Sequence, residues 1–236
     1  MDEVMIFLDG ANKEILAFIK QYVPVKFTKQ DCDNYCSQMH KNGEGLPVSA
    51  EIFYKDPMEQ AKFAHELLHM KADLMIGDDL IVYEIAMSDE KLSKIMDKQF
   101  CEDLLNVTQH IAFAPDIDEM GYGMEQFEYE TVSPKTKEIY EDALKTRLKF
   151  LGVYHSERVQ CYLKLLLMFM FYPDDKRFAK EVKALKTIDY VLYSRVKELR
   201  NAFENIELSE DSYDFIQNQY KAFAEGVQKW VHEHMK

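Results

Sequence analysis

Two histidines four residues apart, with a glutamate directly after the first, are the residues of this 236-residue chain best suited to chemistry: His65-Glu66-Leu67-Leu68-His69. Four residues of α-helix turn the chain by about 400°, so His65 and His69 lie on one face, a turn apart, where both imidazoles can reach one ion. Glu66 is rotated from His65 by about 100°, too far round to be an obvious third ligand but placed to take a proton from a water beside that ion. Leu67 and Leu68 are uncharged and suit the buried back of such a helix. The HExxH pattern therefore reads as a metal site with its own base.

The elements around the motif support that reading. Asp56-Pro57 is a suitable helix start, and apolar Met58, Ala61, Phe63, Ala64, Leu67, Leu68, Met70, Leu74 and Met75 follow at spacings that give a broad buried face up to Gly77. Residues 50–54, Ala-Glu-Ile-Phe-Tyr, predict a short strand leading into the helix. In this setting the segment Phe63-Ala64-His65-Glu66-Leu67-Leu68-His69-Met70 resembles the active-site helix of the zincin metallopeptidases. It is closer in style to the intracellular ImmA/IrrE type than to secreted types. The resemblance covers roughly residues 48–125. It implies Zn2+ bound by His65 and His69, general-base work by Glu66, and hydrolysis of a peptide bond in an intracellular peptide or protein. The glycine-plus-third-histidine extension of metzincins is absent, since His69 is followed by Met70-Lys71-Ala72-Asp73.

The third ligand is left open by that departure. A catalytic zinc takes three protein ligands and keeps a fourth position for water, so two histidines do not complete the site. A helix expected over 88–113, opened by Ser88-Asp89-Glu90 and closed before Pro115, offers Asp97, Glu102, Asp103 and His110, while Glu84 lies in the connection after Gly77-Asp78-Asp79. His110 is preferred, with Asn106 one turn earlier as a hydrogen-bonding partner. Glu102 comes next, because it would complete the His, His, Glu set of thermolysin-like zincins. Tyr122 and His155 are candidate oxyanion donors, although either side chain usually makes a structural hydrogen bond. Cys32, Cys36 and His40 share helical spacing but lack a fourth ligand, which favours ordinary packing over a second metal site.

Composition bounds the remaining possibilities. Net charge is -13, and clusters of Lys and Arg are not evident, which argues against nucleic-acid binding. With 47% hydrophobic and 13% aromatic residues the chain can fill a core, and eight glycines and six prolines argue against an all-β fold. The acidic start, Met1-Asp2-Glu3-Val4, does not resemble a secretory signal, and the greasy run from Leu165 to Tyr172 is too short to span a bilayer. A cytoplasmic protein is expected, with Cys32, Cys36, Cys101 and Cys161 as reduced thiols and no membrane contact.

The expected fold is α+β and mostly helical: a small zincin-like strand and helix core within a domain over 1–125, then an all-α domain or extension over 126–236. Its elements are a helix over 2–22 ended by Pro24, a strand over 25–28, a turn-rich connection over 41–48, and helices over 134–152, 156–172, 174–205 and 209 to the end. Leu185, Ile188, Leu192, Val196 and Leu199 read as core, and Trp230 as packing. A regulatory or protein-interaction scaffold that keeps the fold without catalysis is the alternative to a peptidase. Such a scaffold would need the histidines but not Glu66, so the glutamate favours the enzyme.

Overall fold

The computed structural model describes residues 8–31, 35–56, 58–77, 80–122, 134–146, 148–150, 153–171, 176–204 and 206–235. Among them are nine α-helices, a three-stranded sheet and a two-stranded ribbon, so the fold is mostly helical α+β. The chain divides into two compact units, one of residues 1–77, 113–128 and 208–210, the other of 78–112, 129–207 and 211–236. No helix among the described residues is long and apolar enough to cross a membrane.

The first unit contains α1 (Gly10–Tyr22), β1 (Val25–Lys29), β2 (Cys36–Lys41), β3 (Pro47–Tyr54) and α2 (Gln60–Ile76). Asp9 caps α1 by accepting a hydrogen bond from the Asn12 amide at 2.9 Å. Val4 and Phe7, expected in this helix, lie outside the described residues. The sheet order is β1-β3-β2, with β1 parallel and β2 antiparallel to the central β3. Alternation along β3 sends Ala50 and Ile52 inward, where they meet Leu16 and Ile19 of α1 and Phe63, Leu67 and Met70 of α2. Burial of these side chains at about 1.5–3 kcal/mol for each large one is what fixes α2 on the sheet.

Strand β2 corrects the helical spacing assumed for Cys36 and His40. Both residues lie on it, and four residues of strand span about 13 Å, too far for two side chains to share one ion. His40 instead sits 4.0 Å from Glu51 on the neighbouring strand, and Cys32 lies outside the described residues. Helix α2 starts at Gln60, three residues after Pro57, which is itself outside the described residues. The Tyr35 hydroxyl anchors this start, accepting from the Glu59 amide at 2.8 Å and donating to the Lys55 carbonyl at 3.1 Å. Gly77 ends the helix at φ +78, a conformation that a side chain would strain.

The second unit contains α3 (Leu80–Met87), most of α4 (Lys98–Glu119), α5 (Pro134–Thr146), the ribbon β4 (Lys149–Phe150) and β5 (Val153–Tyr154), α6 (Ser156–Met170), α7 (Ala179–Lys186), α8 (Tyr190–Glu204) and α9 (Tyr213–His234). The helix expected over 88–113 differs at both ends. Asp89 accepts from the amides of Lys91 and Leu92, at 2.9 and 3.0 Å, and so favours a short 3-10 turn at Leu92–Lys94. Burial alone would raise the Asp89 carboxyl, but His232, these amides and Gln228 outweigh it and hold it at about 2.

Asp97 then caps α4, accepting from the Phe100 amide at 2.8 Å, and the helix runs through Pro115 to Glu119. Proline removes one backbone hydrogen bond there, but Phe113 and Ile117 are fully buried on either side and packing carries the helix across. The helix expected to reach 152 stops at Thr146 and gives way to the ribbon, a small β element in the half read as all-α. The helix expected over 174–205 is two helices, because Asp189 caps α8 through the Leu192 amide at 2.9 Å. Leu185, Leu192, Val196 and Leu199 are buried as expected, and Trp230 is packed with its indole N–H donating to Asp189 at 3.0 Å.

Candidate metal centre

Helix α2 is buried around most of its circumference, by Phe63, Ala64, Leu67, Leu68, Met70 and Ala72 among others. His65 and His69 occupy its half-buried side. Their Nε2 atoms are 3.2 Å apart, with the rings at 71° to one another. Phe113, from the last turns of α4, lies edge to face against both, with ring centroids 5.9 Å from His65 and 5.1 Å from His69. Aromatic contacts of this geometry contribute about 0.5–1.5 kcal/mol each beyond area burial, enough to bias two imidazole rotamers. Asp116, three residues on, pairs with Lys71 at 2.6 Å and ties the same segment to α2 just past His69.

Glu66 is 8% exposed, with its Oε1 3.4 Å from Nδ1 of His65. Burial would raise its carboxyl, but the hydrogen bond with His65, the proximity of His69 and His65, and the hydrogen bond with Ser37 outweigh it and hold the group below its usual range. The carboxylate is thus ionised at neutral pH and able to accept a proton. Its contact with Nδ1 favours the His65 tautomer protonated there, which directs the lone pair of Nε2 towards His69. The Ser37 hydroxyl comes from β2, an edge strand of the sheet.

The ligand atoms of His65, His69 and His110 all lie within 4.8 Å of one another, and among the described residues no other group of His, Cys, Asp and Glu gathers in this way. His110 is buried and stands three residues, about one turn, before Phe113 on the unbroken α4. These three histidines can hold a metal ion. Zinc, the ion expected from the sequence, fits the donors: two nitrogens bound tetrahedrally at about 2.0–2.1 Å are about 3.3 Å apart, close to the His65 to His69 separation.

The other candidates are placed elsewhere. Glu102 is paired with Lys98 at 3.3 Å, Asp103 with Lys164 at 2.9 Å, and Asp97 is taken up by the cap of α4. Glu84 is exposed on α3, a helix where a connection was expected, and Asn106 is exposed on α4. The Tyr122 hydroxyl donates to Asp9 and accepts from Asn12 at 3.1 Å; burial and the Asp9 carboxylate push this phenol well up. His155 is exposed at the N-cap of α6, where its carbonyl accepts from Arg158 and Val159 at 3.1 Å. Neither is part of the histidine group.

Sequence reasoning missed Ser37, Phe113 and the Lys71 to Asp116 pair. Only Phe113 carried a signal, standing one helical turn from His110; the partners of Ser37, Lys71 and Asp116 depend on tertiary placement. Compared with known proteins, the chain matches no family model, no curated protein and no solved structure.

Proposed function

We propose that this chain is a zinc-dependent metallopeptidase acting on an intracellular peptide or protein. The observation that carries the proposal is a buried Glu66 3.4 Å from His65 in a cluster of three histidines. A metal scaffold would use this carboxylate only to orient His65, whereas a peptidase needs it as a base as well. His65, His69 and His110 would hold the ion. Zinc, when bound, polarises a carbonyl and makes water more acidic, towards a pKa of about 7.

The chain's own residues supply the rest. Glu66 accepts a proton from the attacking water and returns it to the leaving amine, so the carboxylate is regenerated as the peptide C–N bond breaks. Ser37 and His65 hold that carboxylate in place. Peptide is the favoured substrate class because Ser37 belongs to an edge strand, whose outward backbone groups suit an extended chain. The proposed setting is the cytoplasm, where the thiols of Cys36, Cys101 and Cys161 would stay reduced.

Incubation of the zinc-loaded protein with a diverse peptide library, read for new termini by mass spectrometry, tests this function. Cleavage is expected, and it should stop on chelation and return on adding zinc. A zinc-loaded protein that cuts nothing across a broad library would favour the regulatory scaffold.

A further inference from the structure

We infer that Asp116 and Lys71 are a positioning pair that sets where His110 stands relative to His65 and His69. The inference rests on the metal-centre reading above. His110, Phe113 and Asp116 recur every three residues on α4 and fall within an arc of about 120°. Phe113 meets the rings of His65 and His69, and Asp116 reaches Lys71, two residues beyond His69. One face of α4 therefore carries the candidate ligand, a ring wedge and an ionic anchor in succession.

The anchor matters because of Pro115. Without an N–H it cannot bond to the Ile111 carbonyl, so α4 is weakened between His110 and Asp116, where a helix bends most easily. A shift there would move His110 relative to the turn held by Phe113. Lys71 Nζ and Asp116 Oδ2 are 2.6 Å apart with side chains only 22% and 33% exposed, a shorter and drier pair than most surface ion pairs. The pair makes no contact with ion or substrate in this scheme. It acts through His110, whose own fold of helix it keeps in register with α2.

The test is zinc affinity by chelator competition on the full chain, in the native sequence and in a His110→Ala background. Asp116→Asn, which keeps size and removes charge, is expected to weaken zinc binding about 10- to 100-fold, the range typical of groups that orient a ligand. The swap Lys71→Asp with Asp116→Lys should recover most of that loss. In the His110→Ala background Asp116→Asn should change affinity by less than about twofold, since the residue it positions is gone. With cobalt in place of zinc, Asp116→Asn should alter the visible absorption of the ion, a response that mere loss of stability would not give. Lys71→Met, which keeps the apolar stem, serves if Asp116→Asn fails to fold. Native affinity in these variants, or an equal loss with and without His110, would overturn the inference while leaving the metal centre standing. A wild-type chain that holds no zinc would instead overturn both.

Discussion

Replacing Glu66 with Gln is expected to lower peptide-bond hydrolysis by at least about 100-fold, the low end of what a positioned general base contributes. Zinc content at saturating metal and thermal stability should stay nearly unchanged. The amide keeps the shape of the carboxylate, and its oxygen can still accept from His65 Nδ1 and from Ser37, so the helix and the first histidine keep their surroundings. What it loses is the ability to take a proton. Parallel assays of wild type and variant on any peptide cut by the wild type decide the matter, and equal rates would remove Glu66 from the chemistry.

The second large effect concerns the third ligand. His110→Ala should weaken zinc binding by orders of magnitude, because a site left with two protein ligands holds the ion poorly. Glu102→Ala should leave affinity unchanged, since Glu102 is half-exposed and occupied with Lys98 on its own helix. Competitive chelator titration of the two variants distinguishes them. The reverse order of effects would move the assignment to Glu102.

His65, Glu66 and His69 were legible in the sequence because an α-helix fixes which residues share a face without reference to anything distant. The strand before them and the buried spacing from Phe63 to Met75 were legible for the same reason. His110 was favoured on local grounds, as an imidazole near the end of a helix with an apolar side, and the structure puts it with the other two. The surroundings of the site were harder to read. Ser37 reaches Glu66 only because β2 packs beside α2, and a strand of mixed polarity such as Cys36–Lys41 has no period that announces it. Pro115 misled because proline usually ends a helix; burial of Phe113 and Ile117 outweighed it here. Asp189 split one expected helix into two for a similar reason, since a capping aspartate and a helix-interior aspartate look alike until the chain turns.

Zinc binding by these histidines is open to test by elemental analysis. Wild type and the His65→Ala, His69→Ala double variant would be loaded with zinc, desalted and measured for metal per chain. The wild type should retain about one zinc per chain and the double variant none, because the open catalytic geometry requires three protein ligands and the variant keeps one. Equal metal in both proteins, at any level, would contradict a zinc centre at His65 and His69.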